Sequence, residues 1–123
     1  MILAIDFDGV IHDYKNPIEG RRMGAPVVGT RDALLKYKHR GDRIIIHSVW
    51  ADMGNRKVIA DFMNYYRLPY DEITNVKPNA DYYIDDKAIK FTSWNNLGTY
   101  IHYNTKILTG RCMSKIKRKY ATI

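Results

Sequence analysis

The chain has 123 residues, 46% of them hydrophobic, and a single cysteine, Cys112, which allows one domain with its own core but no internal disulfide and no cysteine-based zinc site. No apolar run approaches the roughly 18 residues that span a bilayer, and Asp6 and Asp8 break the apolar start unlike a signal peptide, so the expectation is a cytoplasmic protein with no membrane partner. The formal charge of +7 is uneven: residues 1–86 hold all 13 acids and twelve bases, whereas residues 87–123 hold eight bases and no acid.

Taken in chain order, "ILAIDF" is an apolar run without polar alternation, as in a strand buried on both faces of a parallel sheet. The segment 11–29, with Pro17, Gly20, Gly24, Pro26 and Gly29, is turn-rich and predicts a flap or hairpin. Thr30 is placed to cap a helix with Ala33, Leu34 and Tyr37 on one face, and Gly41 to end it. "RIIIHS" is a second buried strand, followed by an amphipathic helix with Val58, Ile59, Phe62, Met63 and Tyr66 at spacings of three and four, stopped by Leu68-Pro69. A short strand over 72–75 is weakly marked, and "DYYIDD" supplies a third buried run. The stretch 93–103 fits no single pattern. Leu108, Cys112 and Ile116, four apart, suggest a basic amphipathic helix despite Gly110. Alternating strands and helices imply right-handed crossovers and an open α/β sheet covered on both sides.

Each of the three apolar runs ends in polar chemistry: Asp6 and Asp8, then Ser48, then Asp85 and Asp86. In a parallel sheet these ends share one edge, where open α/β folds bind ligands. Lys77 precedes the last strand, and Pro78 keeps it extended. Crowded carboxylates repel, by about 4 kcal/mol for a close pair at an effective dielectric near 20, and need a cation. Oxygen ligands without histidine or cysteine favour Mg2+, and a metal beside a lysine and a hydroxyl suits the spread charge of a phosphoryl group in transfer. His12, His39, His47 and His102 lack metal-ligand spacing; His12 and His102 read as surface or loop residues.

"DFDGV", a serine closing an apolar strand, a lysine, and "DD" after another strand, in that order, resemble the four motifs of the haloacid-dehalogenase-like (HAD) hydrolase superfamily. The resemblance runs from Ile2 to about Phe91, and "VKPNADYYIDDKA" is similar to small HAD proteins of bacterial and phage genomes. It implies a three-layer α/β/α Rossmann-like fold with a mainly parallel sheet and no large cap domain. The expected catalytic domain covers 1–105, with the flap at 11–29, and 106–123 forms a basic helix or tail. The resemblance assigns Asp6 as the nucleophile that becomes an aspartyl-phosphate and Asp8 as the general acid and base. It also implies Ser48 and Lys77 as phosphoryl-binding groups, and Asp85, Asp86, the Asp6 carboxylate and the Asp8 carbonyl as ligands of Mg2+. Members with an aspartate at the position of Asp8 are typically phosphatases or phosphomutases; Val10 stands where threonine is common. His47 and Trp50 flank Ser48 and can shape the substrate pocket, and Lys15, Arg21 and Arg22 in the flap can meet an anionic substrate.

Two rival motifs fail. An EF-hand loop starting at Asp6 would need an oxygen ligand at Val10, glycine at Ile11 and glutamate at Pro17. Receiver domains place the acidic pair first and the Lys-Pro last, the reverse of this chain. The expectation is a Mg2+-dependent phosphomonoester phosphatase, with a nucleotide or nucleic-acid end as a substrate that would use the basic end and its interleaved Tyr100, Tyr103 and Tyr120. The alternatives are a non-catalytic nucleic-acid- or partner-binding protein on the same fold, and a phosphotransferase or mutase.

Overall fold

The computed structural model describes residues 1–21, 23–52 and 54–109; Arg22 and the tail expected around Cys112 and Ile116 lie outside them. The elements in order are β1 (Ile2–Asp6), β2 (His12–Pro17), β3 (Gly24–Pro26), α1 (Thr30–Arg40), β4 (Arg43–His47), α2 (Asn55–Tyr65), β5 (Glu72–Thr74), β6 (Tyr82–Ile84) and α3 (Trp94–Thr109). The chain divides into two compact units, Met1–Asp86 and a second that starts at Lys87. Residue 105, the expected end of the catalytic domain, lies within α3.

In the first unit, four parallel strands form a sheet of order β5-β4-β1-β6. This is a small α/β fold of Rossmann-like character. Ile2–Asp6 lies against Arg43–His47 on one side, and Leu3–Ile5 against Tyr82–Ile84 on the other. The chain steps outward from β1 to β4 to β5, then returns to lay β6 on the far side of β1. That reversal puts the topological switch point of the sheet at the carboxyl ends of β1 and β6, the edge where such sheets bind ligands.

The strongly apolar runs are buried as expected: Leu3, Ala4 and Ile5 in β1, and Ile44, Ile45 and Ile46 in β4. Strand β6 is not, with Tyr82 and Tyr83 61% and 46% exposed. It is an edge strand among the described residues, and its apolar character comes from tyrosine rings that tolerate water at their hydroxyl ends. In α2, Ile59, Phe62 and Met63 reach the core, while Val58 stays exposed at the rim of the stripe.

Helix α1 ends as expected, with the Gly41 N–H donating to the Lys38 carbonyl at 3.0 Å. Its start differs from expectation. Gly29 occupies the cap position, and the Thr30 hydroxyl donates back to the Val27 carbonyl at 2.7 Å instead of accepting from the first turn. In the second unit, Ser93 does what Thr30 does not: its Oγ accepts the Asn96 N–H at 3.2 Å and opens α3 across the stretch that fitted no pattern. The Phe91 and Trp94 rings meet edge to face, 5.1 Å apart, at this helix start. No helix of the described residues is long and apolar enough to cross a membrane.

One side chain ties α1, β4 and the approach to β5 together. The Asp71 carboxylate accepts the Ile44 N–H at 2.7 Å and the Lys38 ammonium at 2.9 and 2.7 Å. Burial pushes this carboxyl up, but the Ile44 N–H and Lys38 outweigh it and hold it below its usual value of 3.8. Because the unfolded chain then binds the proton more readily, Asp71 stabilises the fold at neutral pH and ceases to do so as pH falls below that value. Asp71→Ala, which orphans the N–H of fully buried Ile44, is expected to cost about 1–3 kcal/mol in urea denaturation at neutral pH. The gap to wild type should narrow in acid; a gap of constant size would assign the loss to packing alone.

Candidate active site

The site begins with where β1 stops. Its last residue, Asp6, has His47 as register partner on β4, and Ile5 has Ile84 on β6, so Asp85 leaves β6 alongside Asp6. Asp6, Asp85 and Asp86 each bring a carboxylate oxygen to within 4.8 Å of the others. Asp6 is partly buried and the other two are exposed. The Asp6 carboxyl is pushed above its usual 3.8, first by burial, then by the charge of Asp85, with smaller pushes from Asp86 and Asp8; the Phe7 N–H pulls the other way. The donor set is all oxygen, which fits a hard divalent cation.

After β1 the chain turns tightly. The Phe7 carbonyl accepts the N–H groups of Ile11 and His12 at 3.0 and 2.8 Å, and the Gly9 N–H donates to the His12 carbonyl at 2.9 Å. Fully buried Phe7 and Ile11 anchor the turn in the core. Gly9 has φ +86°, a left-handed conformation that favours glycine, and the Asp86 carboxylate lies where a Cβ would stand. The turn sets residue 12 beside residue 8.

As a result Asp8 is held from two directions. His12 Nδ1 lies 2.7 Å from Oδ1, and the Trp50 indole N–H donates to Oδ2 at 2.9 Å. His12 is not the surface residue expected. It is 6% exposed, stacked on Phe7 at 5.4 Å and met edge-on by Phe62 at 5.4 Å. Its position is set by tertiary packing of the hairpin, and the sole sequence hint is that a glycine turn ending in buried Ile11 must fold residue 12 back toward Asp8. Trp50, expected to shape the pocket, reaches Asp8 from a turn in which the Ser48 carbonyl accepts the Ala51 N–H at 3.0 Å.

The remaining expected residues are less tightly gathered. Ser48 follows β4, is buried, and donates its N–H to the Thr74 carbonyl at 3.1 Å. Lys77 is exposed, with its ammonium 4.7 Å from the centre of the Tyr83 ring; among the described residues no ion pair joins it to Asp6. Tyr83 also fixes the loop, donating its hydroxyl to the Pro78 carbonyl at 2.7 Å and accepting the Ala80 N–H at 3.2 Å. Arg21, at the hairpin tip, lies over the Tyr65 ring of α2 at 5.7 Å, on a groove of about 410 Å³ that Met23 and Phe62 also line.

The chain matches no protein-family model and no curated protein. Among solved structures it is similar to a structural-genomics target protein from Vibrio cholerae, at 20% identity and a TM-score of 0.47, over 84% of this chain and 98% of that one.

The crowding has a measurable sign. A folded-state carboxyl raised above its unfolded value binds its proton more readily in the folded chain, so stability falls as pH rises from about 3.8 through the raised value and stays reduced at neutral pH. In chelator, Asp6→Asn is therefore expected to unfold at a higher temperature than wild type at neutral pH, with the advantage gone below the usual carboxyl range. A divalent cation at a hundred times its Kd should stabilise wild type by about 2.7 kcal/mol and the variant by less. A less stable variant at neutral pH would mean that Asp6 is already compensated by the protein.

Proposed function

We propose that the chain is a Mg2+-dependent phosphomonoester hydrolase of the type its motifs resemble. The observation that carries this reading is the cluster of the Asp6, Asp85 and Asp86 carboxylates at the end of β1, with Asp8 two residues further on, its two oxygens held by His12 and Trp50. Asp6, Asp85 and Asp86 would hold Mg2+, with the Asp8 carbonyl implied by the resemblance; when bound, the cation offsets carboxylate repulsion and the charge of the phosphoryl oxygens.

In this reading an Asp6 oxygen attacks phosphorus, the bond from phosphorus to the substrate oxygen breaks, and Asp8 gives that oxygen a proton, releasing the alcohol. Asp8 then takes a proton from the water that attacks the aspartyl-phosphate, which frees inorganic phosphate and restores Asp6. Two tasks at two carboxyls call for different surroundings, and the residues supply them: Asp6 sits among like charges, whereas Asp8 is turned toward an imidazole and an indole. Ser48 and Lys77 would bind phosphoryl oxygens. For Lys77 this requires exchanging the Tyr83 ring face for the substrate, a contact of only about 0.5–1 kcal/mol at an exposed site.

The test is phosphate release from aryl phosphates, sugar phosphates, nucleotides and end-phosphorylated oligonucleotides, with and without Mg2+. Turnover is expected only with metal, to be abolished by Asp6→Asn and cut by about 10²–10⁴ in Asp8→Asn. Folded protein that binds Mg2+ but turns over nothing on this panel would favour a binding protein built on the same sheet.

For substrate class, the eight bases and absent acids of residues 87–123 support a nucleotide or a phosphorylated nucleic-acid end. Oligonucleotide affinity should then fall with salt, with a log–log slope of about −0.7 per single-strand phosphate neutralised, and should drop when the chain is cut after Asn104. Salt-insensitive binding would remove nucleic acid from the reading.

A further inference from the structure

We propose that His12 is the positioning residue of Asp8, locked in a single tautomer by the backbone of the β2/β3 hairpin. The Gly24 backbone N–H lies 2.9 Å from His12 Nε2. A backbone N–H can only donate, so Nε2 must offer its lone pair, and the proton of the neutral ring must sit on Nδ1. Nδ1–H then donates to Asp8 Oδ1, at 2.7 Å. The order is fixed: hairpin backbone to Nε2, Nδ1 to Asp8.

Three features hold this arrangement. The ring is buried between the Phe7 face and the Phe62 edge, so flipping it would set C–H groups against both the amide and the carboxylate. Gly24 is buried, and a Cβ on it would overlap the Asp13 carbonyl oxygen, so glycine is what allows the β3 backbone to come close enough. The β2–β3 ladder is irregular between His12 and Pro17, and within that irregularity the Gly24 N–H turns to the imidazole.

His12 is not a proton conduit, because its far nitrogen faces an amide that neither yields nor takes a proton at neutral pH. What it supplies is orientation: with Trp50 on the other oxygen, the Asp8 carboxylate cannot rotate freely about its terminal bond. The catalytic consequence rests on the phosphatase reading of Asp8; the tautomer and the tether do not.

The test uses the full chain. Imidazole 15N spectra at neutral pH should show one neutral histidine with a protonated Nδ1 and an unprotonated Nε2, assigned to His12 by its loss in His12→Asn, with an Nδ1 proton that exchanges slowly and is exposed to exchange in Asp8→Ala. A neutral Nε2–H ring, or a ring protonated on both nitrogens, would overturn the proposal. Two variants then separate positioning from packing. Asparagine keeps a donor where Nδ1 stands, whereas glutamine keeps an acceptor near Nε2 but no donor toward Asp8. His12→Gln is expected to lower kcat about a hundredfold with KM little changed, and His12→Asn to recover most of that loss. Equal losses in both, with both folded, would reduce His12 to a packing residue. If wild type has no turnover, the phosphatase reading falls while the spectra still decide the tether; if either variant does not fold, the wild-type spectra decide it alone.

Discussion

Everything chemical in this protein hangs on β1 being paired in parallel on both sides. A parallel partner on each flank brings three strand ends to the same level, so Asp6, His47 and the start of the Asp85-Asp86 pair arrive together without any of the loops having to span a distance. An antiparallel β6 would send its acidic pair to the opposite edge. The sheet is small, but Leu3, Ile5, Ile44 and Ile46 lock its middle into the core, and a slip of β1 by one residue would turn Asp6 to the other face.

Placed on that frame, the carboxylates work against stability in the absence of a cation. The raised Asp6 carboxyl is the sign of that conflict: its own burial pushes it up first, and the charges of Asp85, Asp86 and Asp8 add to the push. The glycine turn at residue 9 leaves room beside the backbone for the Asp86 carboxylate, which a Cβ there would displace. Asp8 escapes the crowd because the same turn carries it toward the hairpin, where aromatic rings and their N–H groups take over. Ground that disfavours charge and ground that orders it thus lie two residues apart.

How much of this was legible beforehand depends on range. Strands β1 and β4, the hairpin, the two helices of the first unit and the short β5 could be read from apolar runs, turn residues and three-four spacing, because each is decided by its own residues. The position of strand β6 is legible but its exposure is not, since "DYYID" looks the same on an edge as in a centre. Thr30 has a capping side chain, yet Gly29 occupies the cap position, and Ser93, a true cap before "WNN", stands in a stretch with no apolar pattern to mark it. For the site, the order of motifs pointed to the Asp6, Asp85 and Asp86 cluster, which is built by strand register. The two partners of Asp8 were not legible as such: His12 and Trp50 converge on it from a hairpin and from the turn after β4, and no local pattern records such a meeting.

The unequal burial of the strands also orders the sheet by how readily its parts come loose. Strand β4 is sealed by side chains on both faces, whereas β6 holds only three residues, with Tyr82 and Tyr83 largely open to water, and leads directly into the acidic cluster. Local opening is cheapest where few apolar contacts are lost, so β6 is the strand that frays first, and its fraying would carry Asp85 and Asp86 away from Asp6. A cation held among the three acids would therefore act as a clasp on the sheet's edge, and amide protection along Tyr82–Ile84 would report its presence from the backbone.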